Sequence, residues 1–441
     1  MRIFLLIIYI SSLIIAIEIK PKLDLVLRYN TNDEKYTNIG QMLKGVEKVK
    51  FDASVVGGDF GVDISYDNFN FVIQGSSVVD LKNEDDPLKI DTTYFDNDQK
   101  EFSYLSNLYI SYQNKLSSIR VGRQQYNNNL VNKNKKIISN QYQGIYFDYT
   151  KDNYKTNVFY FTKIASSTVA NVVPFNHHYG AIGYGMGYNV GNFTDISKHI
   201  TNVDHNTKGA IVFDGEYSHQ GTKINVQNLY VDNFFNTFYL EAKNSYKVKQ
   251  TKVSARVSVI FQKDIGENHF AKKYNNKKIN GKMYQGSLNF DYHKLFGSYT
   301  YSKTFTDKDA VLNGTIISPF SNKLGWIKGP QTAHAFVANT ISRQYLIGTS
   351  LTIYKLPIVI VIASNKYNIK DNFINHTDIL TKEDFIHTKL YLSKNLNFVL
   401  QYSQGKNLDL QVTKNTNTRA FFSYTYWWYV YLLQLIINNP F

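Results

Sequence analysis

Apolar and polar side chains alternate with a period of two through much of this chain, the period that sends successive side chains to opposite faces of a β-strand. From Lys252 to Gln262, Val253, Ala255, Val257, Val259 and Phe261 share one face, while Lys252, Ser254, Arg256, Ser258 and Gln262 share the other; Ile260 is the one breach. One face suits lipid and the other water. Val62, Ile64 and Tyr66 lead into Asp67 and Asn68, after which Phe69, Phe71 and Ile73 point the same way. Leu108, Ile110 and Tyr112 run into Asn114 and Lys115, with Ile119 and Val121 beyond; Ile145, Phe147 and Tyr149 run into Lys151 to Asn153. Short polar breaks between alternating runs predict tight antiparallel hairpins.

The same reading places turns at Gln220 and Gly221, at Asn244 and Ser245, at His293 and Lys294, around Lys355 to Pro357, and at Lys394 and Asn395. Eight hairpins make sixteen strands. A first strand, Leu23 to Asn30, and a last, Arg419 to Tyr426, have no hairpin partner and are expected to pair with each other. The total of about 18 is even and lies within the range of bacterial barrels. Long polar stretches separate the hairpins: Thr31 to Val49, Val78 to Phe102, Gln125 to Gln141, Ala165 to Lys208, Lys263 to Lys282, Thr306 to Ser342, Asn365 to Phe385 and Gln404 to Asn417, with one short connection near Asp232 to Asn236. Regular alternation of short turns and long loops predicts an all-β, transmembrane antiparallel barrel with turns in the periplasm and loops outside. Tyr66, Phe69, Tyr112, Tyr149, Tyr292, Tyr301, Tyr402 and Tyr426 sit near strand ends, where aromatic girdles meet lipid headgroups.

The chain ends need separate treatment. Met1 and Arg2 precede an apolar run from Ile3 to Ile15, and Ala16 is a small residue ahead of Glu18 and Lys20, so residues 1–17 read as a secretory signal peptide. That run, and Trp427 to Ile437 with its Gln434, are both shorter than the ~20 residues a helix needs to span a bilayer. The expected organisation is a leader, one barrel over 18–426, and an atypical hydrophobic extension over 427–441. Trp427 to Ile437 could alternatively supply the closing strand.

Composition removes several alternatives. Cysteine is absent from all 441 residues, excluding disulfides and thiolate chemistry. The net charge of +14 comes from Lys and Arg scattered along the chain, so nucleic acid is not an expected partner. Metalloprotease, nucleophile-elbow and P-loop patterns are missing, and the adjacent His177 and His178 read as a surface pair. No catalytic residue, metal or cofactor is expected.

The segment Ile119-Arg120-Val121-Gly122-Arg123-Gln124, with Asn127 to Leu130, Asn132, Lys136-Ile137-Ile138 and Asn140-Gln141-Tyr142 after it, resembles a strand and its following loop in the OprD-like porins. Supporting likenesses are Gly57-Gly58 with Gly61, Asp214-Gly215-Glu216-Tyr217, Gln262 to Gly266, and Arg419 to Thr425. The resemblance implies an 18-stranded outer-membrane barrel, a homotrimer, passive passage of small hydrophilic solutes, and insertion by the barrel-assembly machinery. It also implies that Asn127 to Gln141 folds into the lumen, where Lys133, Lys135 and Lys136 would narrow the pore. Lys136 stands where the family carries arginine, and Ser139 where it carries proline. The chain continues fifteen residues past Tyr426, where a family member would stop on an aromatic residue.

Placing Val253 and Ile119 against lipid fixes what the other face carries, because a charge on lipid at the midplane costs about 2 to 4 kcal/mol. The predicted lumen set is Arg28, Arg120, Lys223, Lys252 and Arg256, opposed by Asp24, Asp214 and Glu216. Such charges would guide carboxylates or other anionic groups, or line a wet lumen with no preference. A rival reading is a non-conducting adhesin or structural barrel acting through loops such as Ala165 to Lys208, with its Tyr179, Gly180, Tyr184, Gly185 and Tyr188.

Overall fold

A computed structural model describes residues 17–36, 47–81, 94–95, 100–167, 190–272, 277–331, 334–371, 376–407 and 412–427. The alternating segments become β1 (Ile17–Tyr36), β2 (Lys48–Tyr66), β3 (Phe69–Asp80), β4 (Phe102–Gln113), β5 (Ser117–Gln124), β6 (Gln141–Lys151) and β7 (Tyr154–Ala165). A two-residue β8 (Thr194–Asp195) and a short helix α1 (Ile196–Thr201) follow. The wall resumes with β9 (Ala210–His219), β10 (Thr222–Val231), β11 (Phe235–Val248) and β12 (Thr251–Asp264), then a helical turn α2 (His269–Lys272). It is completed by β13 (Asn280–Tyr292), β14 (Leu295–Thr304), β15 (Thr340–Ile353), β16 (Leu356–Ile369), β17 (Ile379–Tyr391), β18 (Leu396–Lys406) and β19 (Val412–Trp427).

Each wall strand pairs antiparallel with its neighbours, and β19 pairs with β1 from Lys22↔Trp427 to Tyr36↔Val412. The sheet therefore closes as an 18-stranded barrel, with β8 as a small addition to the edge of β7. Closure leaves no free edge, so every wall strand satisfies its backbone groups on both sides, as a lipid environment demands. The strand ending at Trp427 is the closing strand, with Tyr424 opposite Leu25. Residues 1–16 of the expected leader (1–17) and 428–441 of the expected extension (427–441) lie outside the described residues, while Ile17 begins β1 and Trp427 ends β19.

Side-chain parity follows the sequence reading. Leu23, Leu25, Leu27, Phe60, Phe71, Ile110, Ile119, Val121, Ile145, Phe213, Val253, Val257, Ile347 and Leu400 are exposed on the outer wall. Tyr66, Phe69, Tyr112, Tyr149 and Tyr292 are exposed near the turn ends, while Tyr402 is exposed towards the loop end. One turn is displaced from its expected place. Asn244 and Ser245 lie within β11, and the reversal falls at Lys249 and Gln250, between Val248↔Thr251, with Lys249 at φ 53°. Tyr246 and Val248 explain the shift: both continue the outward register of Ala242 and Asn244, so the strand runs on. Similarly, the β15–β16 reversal uses Tyr354 and Lys355, both at positive φ, and Pro357 already pairs with Thr352.

Several wall strands also outrun their apolar alternation. β1 continues in polar residues to Tyr36 and β16 to Ile369, shortening the loops expected from Thr31 and Asn365. Paired backbone does not need apolar side chains where the outer face meets water.

Candidate functional site

Inside the barrel, two loops cover one side of the lumen. Leu130 and Val131 of the β5–β6 loop pack with Phe320, Leu324 and Ile327 of the β14–β15 loop against Phe159, Phe161, Val212, Tyr239, Ile260 and Met283 of the inner wall. This accounts for the breach at Ile260, which is fully buried beneath the loops instead of facing water. Polar contacts fasten the two loops together. The Asn132 backbone N–H donates to Phe320 O at 2.9 Å, the Ser321 hydroxyl to Asn129 O at 2.6 Å, and the Asn132 amide to Asn322 Oδ1 at 2.6 Å. The Tyr142 hydroxyl on β6 donates to Asn132 O at 2.7 Å and lies 3.2 Å from Phe320 O.

A third loop joins through α1. Asp195 caps it by accepting from Ser197 N at 3.0 Å, and His199 stacks on Phe320 with ring centres 5.5 Å apart while its Nε2 lies 3.1 Å from Pro319 O. Full burial pushes the His199 pKa down to about 4, a shift the Pro319 carbonyl only partly opposes. The ring is neutral at physiological pH, so Nε2 donates to the carbonyl.

Beside these loops lies a polar-lined cavity of about 530 Å³. Its charged lining is Arg120, Lys133, Lys155, Lys223, Arg256 and Lys323 against Asp214, Glu216 and Glu241, six cations to three carboxylates. Glu216 is paired with Lys223 at 2.5 Å. Asp214 accepts from the Asn225 amide at 2.6 Å and the Gln227 amide at 3.3 Å, and Glu241 accepts from the Tyr239 hydroxyl. The carboxylates are thus occupied by wall partners. The two arginines stand over aromatic rings, Arg120 4.1 Å from the Tyr146 ring centre and Arg256 3.7 Å from that of Trp326. Arg120 also engages the hydroxyls of Tyr109 and Tyr146. Lys323 donates to Asn127 Oδ1 at 2.6 Å, and partial burial, helped by nearby Lys133, holds its ammonium below the ordinary lysine pKa.

The predicted site residues divide into groups. Arg120, Lys223, Arg256, Asp214, Glu216 and Lys133 line this cavity together. Asp24 and Arg28 belong to a different part of the inner wall: Arg28 is buried over Tyr94 and Phe421, at 4.7 and 5.3 Å from their ring centres. Lys135 pairs with Asp24, tying the β5–β6 loop to β1. Lys136 is half-buried beside Ile137, with its backbone N–H directed at Ile138 O at 3.2 Å, and does not line the cavity. Lys252 is exposed near the turn end, opposite Lys247 and Asp291. Missed by the sequence reading were Lys155, Glu241 and Lys323. Extending the strand parity would have found the first two, since Lys155 is in phase with Asn157 and Glu241 opposes Asn225 and Ser258. His177, His178 and the Tyr- and Gly-bearing part of the β7–β9 loop lie outside the described residues.

A closed 18-stranded antiparallel barrel with an apolar outside, a charged wet lumen and inward-folded loops is a barrel of the outer-membrane type, and its fold is that of the OprD-like porins. The structure is similar to Pseudomonas aeruginosa OccK9 (OpdG), with a TM-score of 0.70 and 10% identity over 94% of this chain and 100% of that one. It is also similar to Acinetobacter baumannii OccAB3, at TM-score 0.68 and 13% identity over 93% and 99%, and to the P. aeruginosa outer membrane protein opdK, at 0.67 and 11% over 93% and 99%. By sequence, no family model and no curated protein matches.

Proposed function

We propose that this chain is an outer-membrane porin that passes small hydrophilic solutes by passive diffusion and favours those carrying an anionic group. The carrying observation is the cavity: an open, polar-lined space whose wall cations outnumber its carboxylates six to three. Glu216 is ion-paired with Lys223, and Arg120, Arg256, Lys133, Lys155 and Lys323 outnumber the remaining Asp214 and Glu241, so the field a solute meets is net positive. Fixed charge of one sign in a narrow path selects for the other. In this reading Lys133 and Lys323 form the narrow point with the two folded-in loops, while Lys135 anchors its loop to the wall. The working assembly is a homotrimer, inserted by the barrel-assembly machinery.

Solute flux into liposomes tests this reading. Refolded protein should admit small monocarboxylates faster than amines of equal size, and equal rates would remove the anion preference while leaving the pore.

A further inference from the structure

On the outer wall, at the loop end, cations form an unbroken row across neighbouring strands. Arg343 on β15 pairs in register with Lys366 on β16, Lys366 with Lys382 on β17, Lys382 with Lys406 on β18, and Lys406 with Lys414 on β19. Across the seam, Lys414 pairs with Lys35 on β1, and Lys35 with Lys48 on β2. Directly opposed like charges sit roughly 5 Å apart and destabilise a sheet. Seven in succession need counter-charges.

The row is not uniform. Arg343 lies two residues from outward Tyr345, while Lys366, Lys382 and Lys406 each lie four residues from outward Ile362, Ile386 and Tyr402, which are exposed on the lipid face. These cations stand at the upper margin of the apolar belt. Further round, the row climbs away from it: two polar outward positions, Asp33 and Thr31, separate Lys35 from outward Tyr29. There the chain supplies its own counter-charges, Glu47 at 3.1 Å from Lys35 and Asp33 at 3.1 Å from Lys48. Arg343, Lys366, Lys382 and Lys406 are all exposed and make no ion pair among the described residues, although Asp384 stands two positions from Lys382.

We propose that these four cations form a docking surface for the phosphate groups of an anionic glycolipid in the outer leaflet. The loop end of the barrel faces the leaflet whose anionic lipid is a phosphorylated saccharolipid, and its phosphates lie just above the acyl chains, where the row stands. Its arginine and lysines contribute clustered donors and charge for phosphate oxygens. The proposal rests on the outer-membrane placement above but not on conduction.

The test measures binding of fluorescent bisphosphorylated lipid A, and of its dephosphorylated counterpart, to the refolded chain in zwitterionic micelles. Arg343→Gln/Lys366→Gln/Lys382→Gln/Lys406→Gln should weaken binding at least about tenfold, given roughly 1 kcal/mol per cation at an anionic surface. Lys35→Gln/Lys48→Gln should leave it within about twofold, because those lysines are already paired. Equal affinity for the dephosphorylated lipid or an unaffected quadruple variant would overturn the proposal. Heat-modifiable gel migration monitors the folded barrel. If the quadruple variant does not fold, R343Q/K366Q and K382Q/K406Q are read singly, and each must weaken binding at least about threefold. Single-channel conductance should be unchanged in all of them, so a failed pore and a failed lipid site give different results.

Discussion

Reversing two cavity charges should reverse the ion preference. Lys133→Glu/Arg256→Glu converts six cations and three carboxylates into four and five, turning an excess of three positive charges into one negative. A cavity of 530 Å³ has the volume of a sphere about 5 Å in radius, so a wall charge acts on a centred ion over that distance. In water-like dielectric this is ~0.8 kcal/mol per unit charge, about fourfold for each ion with opposite sign, and so about sixteenfold in the anion-to-cation permeability ratio. The two substitutions change the wall by four charge units, so even with strong mutual screening the ratio should fall by more than about tenfold and pass through unity. The assay is the reversal potential of the channel in a planar bilayer under a salt gradient near 0.1 M, where the screening length of about 10 Å exceeds the cavity radius. A reversal potential that keeps the wild-type sign and size in the double variant would refute the assignment of the selective region to this cavity.

Three further outcomes follow from the packing. Tyr142→Phe removes the hydroxyl that donates to Asn132 O at 2.7 Å; weakening the donor supply to that buried carbonyl should cost about 1–3 kcal/mol and raise open-channel noise, while Phe320 O keeps the Asn132 N–H. Acidification should loosen the same assembly through His199. Its folded pKa, about 4, lies below the ~6.5 of an unfolded histidine, so its contribution is complete above that value and is lost as pH falls from there towards 4. The loss, about 3 kcal/mol at most, should appear as conductance flicker between these limits and be absent in His199→Phe. Gly122→Ala should prevent normal folding: Gly122 has φ 131°, and an added Cβ would meet Leu108 O at 2.2 Å, forcing β4 and β5 apart. Loss of heat-modifiable migration would register this, whereas a normally migrating variant would contradict it.

What the sequence revealed tracks what a period of two can encode. Alternation around Val253 and Ile119 gave wall and lumen faces correctly because both solvents of a barrel wall imprint themselves on every second residue. Arg120, Lys223, Arg256, Asp214 and Glu216 were found by that parity alone, and the cavity gathers all five. The misplaced turn at Asn244 shows its limit: a polar pair resembles a reversal even when Tyr246 and Val248 carry the register onward. Loops have no period. Nothing local predicts that Lys135 meets Asp24, 111 residues away, or that Asn322 and Phe320 receive the β5–β6 loop. Lys136 drew attention by its place in a family pattern, but its apolar neighbours Ile137 and Ile138 fix the loop's orientation, and Lys133 is the lysine that reaches the cavity.

Single-channel recording of the refolded chain in a planar bilayer tests the porin reading most directly. Stepwise, long-lived conductance is expected, with a reversal potential on the anion side under a salt gradient. A chain that migrates as a folded barrel, inserts in the membrane and passes no current would contradict it.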